Sequence, residues 1–231
     1  MSSAVVEVKD LVKTYRQGAL DVPALRGITL AIARGEFTAI CGPSGSGKTT
    51  LLNLIGALDA PTSGTIVLEG HDLTRLSRGR LSALRRDRVG FVFQAYNLVP
   101  VLKAEENAEI VLALQGVPKA ERHARVRALL AEVGLAGLED RRPDQLSGGQ
   151  QQRVAIARAI AADPAVILAD EPTANVDSET AERLLSMMEK LNRERGATFV
   201  FSTHDPRVME RARRVIRLVD GRVELDQTKG G

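Results

Sequence analysis

A glycine-rich segment between two apolar runs is the feature that most constrains the fold of this 231-residue chain. The run Phe37–Cys41 is nearly continuously apolar, as a strand buried in a parallel sheet usually is. After residues 42–49 a helical pattern follows, with apolar side chains at Leu51, Leu52, Leu54 and Ile55. A buried strand, a glycine-rich turn and a helix in this order predict a loop that binds the phosphates of a nucleotide.

The segment between these runs reads GPSGSGKT, which matches the pattern G-x-x-x-x-G-K-[ST]. Glycines let the backbone curl so that its N–H groups point at phosphate oxygens, and the N-terminus of the following helix adds positive charge. Lys48 supplies a cation for the outer phosphates, and the Thr49 hydroxyl is a ligand for Mg²⁺. The alternative, a Gly-Ser loop with a chance lysine, does not explain both flanks. The predicted nucleotide-binding residues are Gly42, Pro43, Ser44, Gly45, Ser46, Gly47, Lys48, Thr49 and Thr50.

Two acidic residues follow a second apolar strand pattern. Residues 165–169 are all apolar, and Asp170 and Glu171 come directly after them. Ligands of open α/β sheets bind beyond the C-terminal ends of the strands, so both acids are predicted to reach the phosphate loop. Asp170 is predicted to hold Mg²⁺ through water, and Glu171 to orient and polarise the attacking water. Without the phosphate loop, the pair would be interpreted as solvated acids at a strand end.

The order of patterns along the chain predicts an α/β fold. Strand patterns alternate with helical ones, which favours a mostly parallel sheet with helices on its faces. Between about 94 and 145 no strand pattern occurs, and the spacing of apolar residues is helical, so this region is predicted to be an inserted helical lobe. Apolar residues make up 44% of the chain, which is enough for a core. No apolar run approaches the ~20 residues that cross a bilayer.

Charge and cysteine content add little constraint on partners. The single cysteine, Cys41, excludes an intrachain disulfide and suits a reducing cytosol. The net charge of +3 is mild. A C-terminal arginine cluster is interpreted as a solvated helix face, with contact to nucleic acid or to anionic lipid headgroups as alternatives. Its members are Arg207, Arg211, Arg213, Arg214 and Arg217.

The segment that follows the helical lobe narrows the class of nucleoside triphosphatase. It reads LSGGQQQRVAIARA from Leu146 onward and closely resembles the signature of ABC-type ATPases. A serine and two glycines that open a helix offer a hydroxyl and free N–H donors, which form a second grip on phosphate. Taken alone, Ser-Gly-Gly would be interpreted as only a helix N-cap. The predicted signature contacts, made to ATP held by another subunit, are Ser147, Gly148, Gly149 and Gln150.

Four single residues match functional positions of the same family, because their distances along the chain from the motifs agree with those of the family. Gln94 matches the Q-loop glutamine, which senses Mg²⁺, and Asp177 matches the D-loop aspartate. His204 matches the switch histidine, which contacts the γ-phosphate, and Tyr15 matches the aromatic residue that stacks on adenine. Each of these residues alone would be interpreted as an ordinary loop or core residue.

The resemblance spans nearly the whole chain and implies a fold and a division of roles. It implies Glu171 and His204 as catalytic residues, and Thr49, Gln94 and Asp170 as the Mg²⁺ site. The implied fold is a P-loop NTPase with a RecA-like core, an antiparallel β subdomain and an inserted helical subdomain. It is expected to form a single ABC ATPase domain over residues 1–231, with the nucleotide-binding core in 1–93 and 146–231 and the helical subdomain in 94–145.

The resemblance also implies partners. ATP is expected to lie between the phosphate loop of one copy and the signature of a second copy, so that two copies form the working unit. A separate transmembrane permease is expected to hold this subunit at the cytoplasmic face of the inner membrane, as a peripheral protein, and to make the contacts with cargo. No nucleic-acid partner is expected. The alternative is a nucleic-acid or ribosome-associated ABC ATPase, which the single cassette and the lack of a long heptad segment disfavour.

Three segments look like the lipoprotein-release and macrolide-export subfamily, with cell-division ATPases as near relatives: 56–64, 90–100 and 106–107. The stretch 94–115 is predicted to be the docking surface for the permease, because it combines a nucleotide-site glutamine with a run of large apolar residues. The alternative is that these residues pack inside the helical lobe. They are Tyr96, Leu98, Val99, Val101 and Leu102.

Overall fold

A mostly parallel central sheet carries the chain's longest buried strands. The computed structural model describes residues 4–18 and 20–229. Within them the sheet consists, in spatial order, of β10 (Arg222–Thr228), β9 (Arg214–Val219), β3 (Phe37–Cys41), β8 (Phe199–Ser202), β7 (Val166–Asp170) and β6 (Val89–Val92). The strands from β9 to β6 are parallel to their neighbours, and β10 is antiparallel to β9. The mostly parallel sheet that the alternating strand and helix patterns predict is therefore confirmed.

A second, antiparallel sheet packs against one face of the first. Its strands, in spatial order, are β2 (Leu20–Ala33), β1 (Ala4–Gln17), β4 (Ser63–Leu68) and β5 (His71–Asp72). β1 and β2 are each 14 residues long, whereas the apolar pattern predicts only short strands there, at 5–8 and at 28–32. The extra length lies toward their shared hairpin, where residues 20–23 are exposed and therefore show no alternation.

The helices differ in how well the sequence predicts them. They are α1 (Lys48–Ile55), α2 (Arg78–Arg88), α3 (Ala104–Leu114), α4 (Lys119–Glu132), α5 (Gly148–Ile160), α6 (Ser178–Arg195) and α7 (Pro206–Arg211). The apolar pattern does not predict α2, because this helix buries little besides Leu84 and has no apolar stripe. Residues 94–145 contain α3, α4 and no strand, as predicted. Within the described part of the chain, no helix is long and apolar enough to cross a membrane.

Two clusters of buried apolar residues cover the two faces of the central sheet. One lies between the sheet and the helices α3 to α6, and the other lies between the sheet, α1 and the antiparallel sheet. All five residues of β3 are buried as a result. The end of β3, where the phosphate loop begins, is therefore held on both sides by packed side chains.

An ion pair between a buried carboxylate of α3 and an exposed guanidinium of α4 gives a test of how this lobe is stabilised. The Glu105 side chain is 7% exposed and the Arg127 side chain 58% exposed, and the carboxylate accepts hydrogen bonds from Arg127 Nε (3.0 Å) and Nη2 (3.2 Å). We expect Glu105→Ala to lower the free energy of unfolding by about 2 kcal/mol, since a hydrogen bond to a charged group is lost while Arg127 stays partly solvated. Urea denaturation measures the change. The control Glu121→Ala, at an exposed position of α4, should shift it by less than about 0.5 kcal/mol, and equal losses in the two variants would contradict the prediction.

Candidate nucleotide site

The loop between β3 and α1 has a shape that requires two of its glycines. Gly42 has a φ of 146°, and a Cβ at this position would lie 2.1 Å from the Leu218 carbonyl oxygen. Gly47 has a φ of 101°, and a Cβ there would lie 2.6 Å from Leu25 Cδ2. Both positions therefore exclude any side chain. Because Gly47 directly precedes α1, the free N–H groups of that helix open onto the loop.

Lys48 lies over this loop with its ammonium group. Its Nζ donates hydrogen bonds to the carbonyl oxygens of Gly42 (2.9 Å) and Pro43 (3.0 Å). An ammonium has three donors, so one remains for a phosphate oxygen without breaking either bond. Ser44 and Gly45 are exposed at the tip of the loop. The loop thus presents a cation and backbone donors on one open side, which suits a polyphosphate.

The predicted Mg²⁺ ligands Thr49 and Asp170 are in direct contact. Thr49 lies in the first turn of α1, and its hydroxyl donates a hydrogen bond to Asp170 Oδ1 at 3.1 Å. The parallel strands β3 and β7 end at the same edge of the sheet, which brings these residues together. Gln94 follows β6 at this edge and is exposed. Mg²⁺ takes hard oxygen ligands, commonly one or two carboxylates plus substrate phosphates, so these side chains fit the ion.

The Glu171 carboxylate contacts His204 and Thr203. The backbone of Glu171 has a φ of 46°, in the left-handed region that few non-glycine residues adopt. Its Oε1 lies 2.7 Å from His204 Nδ1, and its Oε2 accepts a hydrogen bond from the Thr203 hydroxyl at 3.3 Å. An ionised carboxylate can only accept hydrogen bonds, so with Glu171 ionised this contact requires the tautomer of His204 that has its proton on Nδ1. The structure therefore brings together the two residues predicted to be catalytic.

The signature residues form a helix N-cap within one chain. The Ser147 hydroxyl accepts a hydrogen bond from the Gln150 N–H at 3.3 Å, and Gln150 Oε1 accepts one from the Ser147 N–H at 2.8 Å. A Cβ at Gly149 would lie 2.3 Å from Thr180 Cγ2, so this glycine also permits close packing of α5 on α6. In the described chain no hydrogen bond joins the signature to the phosphate loop. Ser147 is exposed, so its hydroxyl can still meet a ligand from outside.

The segments that contain the predicted Q-loop and D-loop residues, 94–97 and 174–177, are hydrogen-bonded to each other. The Asn175 side chain donates from Nδ2 to the Gln94 carbonyl oxygen at 2.9 Å, and the Tyr96 hydroxyl donates to the Asn175 carbonyl oxygen at 3.1 Å. Asp177 caps α6 by accepting a hydrogen bond from the Thr180 N–H at 2.9 Å. Hydrogen bonds from Thr180 hold the pKa of the Asp177 carboxyl below its ordinary value. The sequence places these residues near the site but does not predict that they contact one another.

Arg158 is a further member of this network for which the sequence gives no role. Its guanidinium donates to the carbonyl oxygens of Tyr96 (2.8 Å) and Asn97 (2.6 Å), whose φ angles of 61° and 50° are both left-handed. Burial lowers the pKa of Arg158. A basic residue within the otherwise apolar second half of α5, residues 154–160, is the signal that could have marked it. Arg158 thus ties the signature helix to the bent backbone of the Q-loop.

Tyr15 is half-buried on β1 and its ring is fixed by neighbouring polar groups. Its hydroxyl donates a hydrogen bond to Asp59 Oδ2 at 3.0 Å. Lys13 Nζ lies 4.7 Å from the centroid of the ring. The resemblance implies the role of Tyr15, but neither of these contacts is predicted from the sequence.

The C-terminal arginine cluster is largely neutralised. Arg207 pairs with Asp205, and Arg214 pairs with Glu36 and Asp226, while Arg217 lies 3.1 Å from Glu224. Arg211 likewise bonds Glu182 and Glu189, and Arg213 bonds the Asn192 side chain and the Gly35 carbonyl oxygen. The interpretation of the cluster as one solvated helix face is wrong, because only Arg207 and Arg211 lie on a helix, α7, while Arg214 and Arg217 lie on the strand β9.

The sequence model of the ABC transporter family matches residues 25–174, which include the phosphate loop, the signature and both acidic residues. The match covers well over half of the chain. This chain belongs to the ABC transporter family, as one of its ATP-hydrolysing cassettes.

Relatives cover nearly the whole chain. It is 48% identical over 222 residues to the macrolide export ATP-binding/permease protein MacB of Syntrophobacter fumaroxidans, covering 95% of this chain and 31% of that protein. It is 47% identical over 226 residues to an uncharacterized ABC transporter ATP-binding protein of Thermotoga maritima, at 98% and 96% coverage. It is 45% identical over 224 residues to the lipoprotein-releasing system ATP-binding protein LolD of Geobacter metallireducens, at 97% and 100% coverage. The chain thus spans about a third of the length of MacB.

Solved structures confirm the predicted fold class. The dimeric structure of MJ0796, a bacterial ABC transporter cassette, superposes with a TM-score of 0.91 at 44% identity, covering 98% of this chain and 99% of that one. A post-hydrolysis dimer of MJ0796 bound to ADP and Pi gives a TM-score of 0.90 at the same identity and coverage. The predicted fold, family and ATPase class are therefore confirmed, while the roles of single residues and the subdomain boundaries stay predictions.

Proposed function

We propose that this chain drives a separate membrane permease from the cytoplasmic face of the inner membrane, and that two copies form the working unit. The observation that carries the proposal is the hydrogen-bonded path that links a surface groove to the nucleotide site. Relatives named for macrolide export and lipoprotein release, at 45–48% identity, support the export or release class. The dimeric cassettes at 44% identity, one of them with ADP and Pi, support the paired arrangement.

The exposure of the signature serine supports the paired arrangement. Gly148 and Gly149 pack closely against Tyr96 and Thr180 of the same chain, but Ser147 remains exposed at the N-terminus of α5. A helix N-terminus with an exposed hydroxyl is a suitable site for phosphate oxygens. In the proposed dimer, ATP binds the phosphate loop of one copy and contacts Ser147 of the other.

Hydrolysis in this site requires a positioned water molecule and neutralised phosphate charge. Glu171 orients the attacking water, and its contacts with Thr203 and His204 hold the carboxylate in place. His204 uses Nδ1 for this contact, which leaves Nε2 free to reach the γ-phosphate. Lys48 neutralises charge on the outer phosphates. When bound by Thr49, Asp170 and Gln94, Mg²⁺ would add further positive charge at the β- and γ-phosphates.

A groove of 380 Å³ beside the Q-loop is the proposed docking site of the permease. Apolar side chains form most of its wall, including Leu58, Val89, Phe91, Phe93 and Val111, while Arg85, Arg86 and Arg158 stand among them. This combination fits an amphipathic permease segment that carries an acidic side chain. Asn97 also lines the groove, so the Q-loop is part of its wall.

The path from this groove to the nucleotide site is short. Arg158 lines the groove and holds the Tyr96–Asn97 backbone, Tyr96 bonds Asn175, and Asn175 bonds Gln94. A shift at either end therefore changes contacts at the other end, which is what coupling between hydrolysis and permease movement requires.

Of the five apolar residues predicted to dock the permease, only Val101 is exposed, whereas Tyr96, Leu98, Val99 and Leu102 are half-buried. Val101 is 69% exposed, as a docking residue should be. Leu98 packs against the buried cluster of the helical lobe, in line with the alternative that these residues belong to the lobe's interior. A test of docking is therefore better made in the groove than at Leu98.

Replacing Leu58 with Asp should separate the permease from this subunit. Leu58 lines the groove and is 48% exposed, so a carboxylate there is tolerated by the fold but opposes an apolar partner surface. We expect at least about a tenfold loss of permease copurifying from native membranes, with unchanged ATP affinity. The matched control is Leu225→Asp, at a 46% exposed position of β10. Equal recovery of permease with both variants would place the docking site elsewhere.

A further inference from the structure

The predicted adenine platform, Tyr15, is anchored by a carboxylate from another part of the chain. The Tyr15 hydroxyl donates to Asp59 Oδ2 at 3.0 Å. Lys13 Nζ donates to Asp59 Oδ1 at 2.8 Å and to the Ala60 carbonyl oxygen at 2.7 Å. The Lys13 and Asp59 side chains are only 12% and 32% exposed, so this pair is partly shielded from solvent.

Asp59 is itself fixed to the helix that begins at the phosphate loop. It lies four residues beyond the end of α1, and the N–H groups of Leu58 and Asp59 both donate to the Asn53 carbonyl oxygen, at 2.8 and 3.4 Å. The carboxylate also accepts a hydrogen bond from the Ala60 N–H at 2.7 Å. A chain of short contacts thus runs from the phosphate loop through α1 to the Tyr15 ring.

The charge on Asp59 is favoured where it stands. Burial acts to raise its pKa, but hydrogen bonds from Lys13, from the Ala60 N–H and from Tyr15 outweigh burial and hold the pKa below its ordinary value. The charged carboxylate keeps Lys13 close to the ring, at 4.7 Å from its centroid, where a cation is attracted by the π electrons. Lys13 therefore lies over one face of the ring.

We infer that Asp59 is a positioning residue for the adenine base, since it fixes the Tyr15 ring at a set distance and angle from the phosphate loop. This inference rests on the proposed role of Tyr15 as the adenine platform. Because Asp59 acts through the ring, it contributes to the binding of nucleotides and not to the binding of a bare polyphosphate. A pre-positioned ring lowers the cost of ordering the site when ATP binds.

The test compares ATP with inorganic tripolyphosphate, which has the phosphates but no base. We expect Asp59→Ala to weaken Mg–ATP binding about tenfold, the loss typical of removing a hydrogen bond to a charged group, and to leave Mg–tripolyphosphate binding unchanged. Tyr15→Phe removes the same hydrogen bond from the other side and should weaken ATP about threefold. Asp59→Asn keeps an oxygen acceptor and an amide within reach of the hydroxyl, so it should recover most of the ATP affinity.

The matched control is Thr62→Ala. The Thr62 hydroxyl oxygen accepts a hydrogen bond from the Thr14 N–H at 2.9 Å, so it joins the same loop to β1 without touching the ring. This variant should bind ATP like the wild type, and a loss equal to that of Asp59→Ala would show a merely structural role. Equal losses for ATP and tripolyphosphate in Asp59→Ala would also overturn the inference.

One further variant separates the inference from the function on which it rests. If Tyr15→Ala binds ATP with wild-type affinity, the proposed role of Tyr15 as the adenine platform is wrong. If Tyr15→Ala weakens ATP selectively but Asp59→Ala and Tyr15→Phe do not, Tyr15 keeps its role and the inference about Asp59 alone is wrong. Thermal unfolding of each variant checks that the fold is intact before affinities are compared.

Discussion

Glu171→Gln should hydrolyse ATP about a hundredfold to a thousandfold more slowly than the wild type, and should bind ATP with unchanged affinity. Removing one group that stabilises the transition state typically costs about 3–4 kcal/mol. Glutamine keeps the shape of the side chain and both of its contacts, because its amide oxygen can accept from His204 Nδ1 and its amide nitrogen can donate to the Thr203 hydroxyl. What is lost is the charge that polarises water.

Phosphate release and nucleotide titration measure the two halves of this prediction. Size-exclusion chromatography adds a third readout, because a variant that binds but does not hydrolyse ATP should accumulate as an ATP-dependent dimer. Glu179→Gln, an exposed position in the first turn of α6, is the matched control and should hydrolyse ATP at the wild-type rate. Near-normal steady-state hydrolysis by Glu171→Gln would contradict the assignment.

The sequence predicts those parts of the fold in which burial requires a recognisable run of apolar residues. β3 and β7 are buried along their lengths, so their apolar runs and the residues that follow them are visible without a structure. The same strands explain why Thr49 and Asp170 meet, since the ends of parallel strands share an edge. Two glycines of the phosphate loop are likewise required by the structure, because neighbouring atoms leave no room for a side chain at Gly42 or Gly47.

The parts that the sequence does not predict depend on contacts between distant segments. Arg158 lies in the signature helix but acts on the backbone of Tyr96, 62 residues earlier. Gln152, also in that helix, donates from its side chain to the Pro172 carbonyl oxygen at 2.6 Å. Nothing local identifies the distant carbonyl oxygen that either side chain contacts. The sequence does not predict the helix α2 for a different reason. This helix is exposed on most sides, so its apolar residues do not recur at helical spacing.

Lys48→Ala and Ser147→Arg should each abolish measurable hydrolysis, for different reasons. Lys48 lies over the phosphate loop of its own chain, so its loss removes the cation that holds the outer phosphates. Ser147 is exposed at the start of α5, so an arginine there blocks the contact with ATP held by a second copy. Lost capping should cost Ser147→Arg about 1 kcal/mol of stability, which a thermal melt detects. Hydrolysis at a rate near that of the wild type by either variant would contradict these roles.

The composite site formed by two copies is tested most directly by mixing these two inactive variants and measuring trapped nucleotide. A mixed dimer has one site in which an intact phosphate loop faces an intact signature, and one site in which both are altered. The mixture should therefore trap ATP at one site per mixed dimer, while Ser147→Arg alone should trap none. Tight, normal trapping of ATP by dimers of Ser147→Arg alone would contradict the two-copy site.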